Sequence, residues 1–193
     1  MTHAAFDDLL AAAQEGAAWA FRELWESLSP AVAGYLRSRG ASEPEELTSE
    51  VFLAVFTQLP GFTGDEAALR AYVFTIARRR LVDEFRRRSR RAPEVPWSPD
   101  TDSRQTVSAE DAALDRLGSA RARELLEGLA PDQHDVLVLR IFGDLTVEQV
   151  AEVLGKRPGA VKALQRRGLE ALRKKVSADP YPSEAPSAIW GVR

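Results

Sequence analysis

Nine arginines fall between residues 70 and 91, at 70, 78, 79, 80, 86, 87, 88, 90 and 91, against only Asp83 and Glu84. A second run, residues 156–175, holds Lys156, Arg157, Lys162, Arg166, Arg167, Arg173, Lys174 and Lys175 against Glu170. Each island carries +7, so a formal net charge of −3 leaves −17 for the rest of the chain. Cations at this density pair with polyanions, above all with nucleic-acid phosphates, and an acidic remainder limits indiscriminate sticking. Catalysis has little to work with. The chain has no Cys, which excludes a thiolate nucleophile, a disulfide and a Cys-based zinc site. Its two His, His3 and His134, are too few for a His-rich metal cluster. A metal-dependent nuclease needs converging carboxylates, and pairs such as Asp7/Asp8 and Glu45/Glu46 lie on acidic helix surfaces without a supporting motif. No enzyme activity, cofactor or metal is expected.

These islands must be positioned by something, and the surrounding sequence reads as helix throughout. At 193 residues the chain allows one ordinary domain or two small ones, and 45% hydrophobic with 28% charged residues is a globular mixture. No apolar run approaches the roughly 18 residues of a membrane span, and the start MTHAAFDDLL has no basic leader. The expected location is the cytoplasm, without membrane insertion.

Residues 4–39 carry an apolar stripe at helical spacing through Phe6, Leu9, Leu10, Phe21, Leu24 and Leu28. Pro30 is expected to start a new segment, and Gly40 to cap its end. Ser42, with Glu45 three residues on, predicts an N-cap for a helix running to about Leu59. PGFTGDE, residues 60–66, reads as a loop. The helix from about Ala67 to Arg88 has Leu69, Val73, Ala77, Leu81 and Phe85 on one side and Arg78, Arg79 and Arg86 on the other. Residues 92–109 have three Pro and little periodicity, the composition of a linker. Helix resumes over 110–129, and Pro131 opens another segment ending near Gly143.

Residues 146–173 have the form of a helix-turn-helix. Thr146 caps a short helix whose Val147, Val150, Ala151 and Leu154 turn inward, and Gly155 ends it. Lys156-Arg157-Pro158-Gly159 makes the turn. The second helix has Val161, Leu164, Gly168, Leu169 and Leu172 on one side and Lys162, Arg166, Arg167 and Arg173 opposite. A helix of this kind suits the DNA major groove, where Arg and Lys reach phosphates or guanine edges. The expected fold is all-α: two small helical domains joined by a flexible linker, the second a winged-helix-like helix-turn-helix of three or four helices. Its bounds are 1–91, a linker 92–118, 119–176, and a Pro/Ser-rich tail 177–193.

Four segments in fixed order now carry a resemblance: FRELWESLSP, EELTSEVFLAVF, LRAYVFTIARRRLVDEFRRRSRR, and LEGLAPDQHDVLVLRIFGDLTVEQVAEVLGKRPGAVKALQRRGLEALRK. Together they resemble the extracytoplasmic-function (ECF) sigma factors of bacterial RNA polymerase over roughly residues 18–91 and 120–175. The resemblance implies that the first lobe opens and reads the minus-ten promoter element as a single strand. Phe62 would lie in the loop that receives an extruded base, and Arg78, Arg79, Arg86 and Arg87 would meet the strand. It implies that the second lobe reads the minus-thirty-five element as duplex through Lys156, Arg157, Lys162, Arg166 and Arg167. Glu46, Leu47, Glu50 and Phe52 match the segment that docks on the clamp helices of core polymerase, whose flap is a further contact. An anti-sigma protein is a common partner in the family, and the linker acids Glu94, Asp100, Asp102, Glu110 and Asp111 would suit a path toward the RNA-exit channel. Arg79 stands where Asn is usual, Ser49 where Gln is usual, and Ala163-Leu164 replaces a polar pair, which weakens transfer of base preferences. Phosphate contact is therefore favoured over base reading for at least two of Lys162, Arg166 and Arg167. The competing reading, a stand-alone helix-turn-helix regulator of duplex DNA, explains residues 146–173 and leaves the island at 70–91 without a task.

Overall fold

A computed structural model of the chain describes residues 3–91, 124–126 and 128–177. The linker acids, most of the expected 110–129 helix and the tail with Trp190 lie outside the described residues. Four helices make the first lobe: α1 (His3–Gln14), α2 (Ala18–Ser38), α3 (Pro44–Gln58) and α4 (Glu66–Arg91), with a single 3-10 turn at Leu59–Gly61. The second lobe contains α5 (Pro131–Ile141), α6 (Val147–Leu154) and α7 (Pro158–Ser177). No strand occurs among the described residues, so the helix-turn-helix shows no wing there.

The first helical break is at Gly16, not at Pro30. Gly16 has φ +86°, the Gly16 amide bonds the Ala13 carbonyl at 3.0 Å, and the Ala17 amide bonds the Ala12 carbonyl at 2.9 Å. That pair of bonds is a Schellman cap, which needs a left-handed residue and so favours glycine. Helix α2 then runs unbroken through Pro30. Proline removes one intrahelical bond, but both Pro30 and Glu26, whose carbonyl loses that partner, are exposed to water. Meanwhile Leu24, Leu28, Val32 and Leu36, one buried stripe, hold the helix straight on its neighbours. The expected Ser42 cap is also displaced. Pro44 sets the start of α3 with Glu43 as N-cap and no side-chain cap. The Ser42 amide donates to Glu84 Oε1 at 2.9 Å, and Glu45 pairs with Arg37 at 2.6 Å.

The helix-turn-helix forms as its residues require. Thr146 Oγ1 accepts from the Gln149 amide at 3.2 Å while Gln149 Oε1 accepts from the Thr146 amide at 2.8 Å, a reciprocal capping box. Gly155 closes α6 at φ +63°. Helix α7 lies on α5 with Gly168 against Leu137 and Gln133, and both Gly168 and Val161 are buried. A Cβ at 168 would stand 2.9 Å from Leu137 Cδ1 and 3.4 Å from Gln133 Cβ. Gly168→Val should therefore wedge the recognition helix off its support and cost about 2 kcal/mol in chemical denaturation.

The two lobes are not independent in space, which the linker reading does not anticipate. Their buried side chains form one contiguous core. Helix α6 packs on α4, and Gln149 Nε2 donates to the Ala67 carbonyl at 2.9 Å. The Phe142 ring lies against Gly34 of α2, and the backbone at Gly143 packs on Phe74. An ion pair crosses the seam, Arg39 Nε to Asp135 Oδ1 at 2.8 Å, without the alignment of a hydrogen bond.

Candidate nucleic-acid interface

Helix α7 presents its cations as the spacing requires. Lys162, Arg166, Arg167 and, in the turn, Arg157 are exposed, while Val161 and Gly168 face the lobe interior. Arg167 Nε bonds back to the Ala163 carbonyl at 3.3 Å, which steers its guanidinium along the helix. Lys156 differs from the rest. It is half-buried and paired with Asp132 at 2.8 Å, so its charge already has a partner within the lobe.

On α4, Arg79, Arg86 and Arg87 are exposed and Arg78 is half-buried. Arg86 lies 3.7 Å from Asp83, an exposed pair one turn apart that contributes little and leaves the cation available. Arg88 reaches the Gly40 carbonyl at 3.3 Å and ties the end of α4 to the end of α2. Phe62 is half-buried in the loop between the 3-10 turn and α4. Its ring meets Tyr72 at 5.5 Å and 35°, and its carbonyl accepts from Gln14 Nε2 at 2.7 Å. The loop is thus anchored at Phe62, and Tyr72 shares the aromatic surface. Spacing alone does not single out Tyr72, because it sits just off the apolar stripe of α4; its proximity to Phe62 comes from the loop's return path.

The docking segment divides by burial. Glu46 is exposed and Glu50 half-buried, but Leu47 and Phe52 are 5% and 1% exposed. Phe52 packs on Trp25 at 4.7 Å and on Phe56 at 5.6 Å. Phe52 is closed in between α2 and α3, whereas Leu47, although only 5% exposed, lines a groove beside the two glutamates. The outward face adds Leu53, 70% exposed, although a leucine at this helical spacing reads as core. Glu46 and Glu50 border this open groove of about 370 Å³, shared with Ser42, Glu43, Leu47, Glu84, Arg87 and Arg88. A hydrogen bond and charge from Glu43 push the Glu46 carboxyl above its ordinary range, while the hydrogen bond from Arg37 holds Glu45 below it. No cluster of His, Asp and Glu suited to a metal occurs among the described residues.

Residues 24–91 match the Sigma-70 region 2 family and residues 125–174 match Sigma-70, region 4. The chain is 34% identical over 176 residues to the ECF RNA polymerase sigma factor ShbA of Streptomyces griseus, covering 83% of this chain and 90% of ShbA. The chain belongs to the ECF RNA polymerase sigma factors. The sigma factor is also 34% identical to BldN of Streptomyces coelicolor, over 89% of its own length and 66% of BldN. In fold it is similar to CnrH, solved with the cytosolic domain of CnrY, at TM-score 0.67 and 24% identity over 91% of this chain and 99% of CnrH. It is likewise similar to RpoE of Bartonella quintana, solved with the anti-sigma factor NepR, at TM-score 0.62 and 19% identity over 82% and 98%. The sigma factor directs promoter-specific transcription initiation, and the region 2 match takes in the whole of the 70–91 island, which a stand-alone helix-turn-helix regulator would leave unexplained.

Proposed function

We propose that the two cationic faces divide the promoter between them. The first lobe takes the opened minus-ten strand on Arg79, Arg86 and Arg87, with the Phe62–Tyr72 pair as the aromatic platform beside them. The helix α7 takes the minus-thirty-five duplex with Arg157, Lys162, Arg166 and Arg167 toward the major groove. Glu46 and Glu50 dock on the clamp helices of core polymerase, and the second lobe meets the flap. The observation that carries this division is the exposure of two separate cation sets on helices from different lobes. Single-strand capture wants a cationic track beside aromatic rings, and duplex reading wants an exposed helix with basic side chains. The protein has no catalytic chemistry of its own on this reading and works in the cytoplasm. No helix of the described residues is long and apolar enough to cross a membrane. The anti-sigma factor NepR solved with RpoE supports an anti-sigma protein as a further partner.

The experiment separates the faces. Replacing Arg79, Arg86 and Arg87 by Ala should reduce promoter opening, read by permanganate reactivity with core polymerase, at least about tenfold, while upstream duplex protection persists. Replacing Lys162, Arg166 and Arg167 should do the reverse. Loss of duplex protection in the first variant with opening intact would overturn the division.

A further inference from the structure

Arg39 belongs to no motif and to neither cationic island, yet it carries an ion pair between the lobes. It ends α2, one residue before the left-handed Gly40, and its guanidinium reaches across the seam to Asp135 of α5. The side chains are 22% and 11% exposed, so the pair is largely shielded from water. Arg78 of α4 lies within electrostatic reach of the same carboxylate and of the buried Tyr35 beneath it. The stripe of α4 that contains Ala67, Phe74 and Arg78 is the one covered by the second lobe, through the Gln149 bond to Ala67 and the Gly143 backbone on Phe74. Arg79, Arg86 and Arg87 remain outside that cover. Arg78 is half-buried within that stripe, with the Asp135 carboxylate of the other lobe within its electrostatic reach.

We propose that Arg39 and Arg78 form a phosphate-binding site for the opened DNA strand, and that Asp135 occupies it as an internal substitute while the lobes are closed. A carboxylate and a phosphodiester offer the same thing to a guanidinium, anionic oxygens in a plane it can pair with. Breaking a shielded ion pair is costly when it strands a charge, and nearly neutral when another anion takes the vacated place. Exchange of Asp135 for a phosphate is such a substitution, so the strand itself assists opening. Opening also uncovers the rings of Tyr35 and Phe74, now fully buried, and the contacts made on polymerase must offset that exposure. The site rests on the assignment of the first lobe to the single strand.

The test measures binding of a fluorescent single-stranded minus-ten oligonucleotide by the free full-length protein. Asp135→Asn should tighten binding about fivefold or more, because the affinity of a closed protein is reduced by the fraction that is open. Adding Arg39→Ala to that variant should abolish the gain. Because the chain has no Cys, Gly34→Cys with Phe142→Cys offers a single disulfide across the seam where the Phe142 ring meets Gly34. The oxidised form should bind the oligonucleotide at least about fivefold more weakly than the reduced form, and reductant should restore it. Unchanged affinity in folded Asp135→Asn, or a gain that survives Arg39→Ala, overturns the proposal. So does equal affinity of the oxidised and reduced forms, which is informative even if Asp135→Asn folds poorly. Arg86→Ala serves as the control: it should weaken binding in every background, and no effect anywhere sinks the first-lobe assignment itself.

Discussion

Phe52→Ala should lower the free energy of unfolding by about 3–5 kcal/mol, while Glu50→Lys should change it by no more than about 0.5 kcal/mol. The two residues stand two positions apart in the same docking segment, and their expected defects in transcription look alike. Their causes differ. Phe52 is 1% exposed, in contact with both Trp25 and Phe56, so truncation leaves a cavity between α2 and α3. Glu50 borders the groove and contributes its charge outward. Thermal melts should therefore identify Phe52→Ala as a folding defect that low temperature partly rescues. Glu50→Lys, melting as the parent does, should fail to compete for core polymerase in a pull-down. A Phe52→Ala protein that melts normally and still loses polymerase would place that ring at the interface after all.

Acidification should destabilise the closed protein through His134. Burial first, and the positive charge of Arg39 second, hold the imidazole down at about 4, against an opposing pull from the Ser38 backbone. In the unfolded chain the same group protonates near 6.5. Between those values the unfolded state binds a proton that the folded state refuses, so stability falls as pH drops from about 6.5 toward 4. The shift corresponds to roughly 2–3 kcal/mol at the acid end. Asp135, the next residue, works the other way. Burial pushes its carboxyl up against the pull of Arg39, Arg78 and Lys156, with Asp132 adding to the rise, so the fold accepts its proton early. Comparing the parent with His134→Leu isolates the histidine, because the Asp135 contribution is present in both. The melting temperature of the parent should fall more steeply between pH 7 and pH 5 than that of the variant. Parallel pH profiles would show that His134 is not held neutral by the fold.

Much of this was legible in the residues because it depends on local physics. The capping box at Thr146 and Gln149, the left-handed glycine at 155 and the two-sided α7 are each written within a few turns of helix. The opposed faces of α4 follow from 100° per residue. Where the local reading failed, two signals competed. Pro30 reads as a break, but its lost bond falls on a wet face, while Gly16, in a run rich in alanine, supplies the left-handed residue that a true end needs. Ser42 reads as a cap, but Pro44 sets the start of the helix and Glu84 claims the Ser42 amide from forty-two residues away.

The docking segment marks the boundary between the two kinds of information. Its glutamates and aromatics are recognisable by order alone, yet order does not separate the outward Glu46 and Glu50 from the buried Leu47 and Phe52. By itself the sequence determined an all-α chain, two islands of +7 and a helix-turn-helix, since periodicity, capping and charge act over neighbouring residues. Only the tertiary structure decided that Lys156 is already paired, that Tyr72 joins Phe62, and that Arg39 meets Asp135 across the lobes. Those partners lie 24, 10 and 96 positions apart. The packing of the helices alone brings their charges and rings within reach.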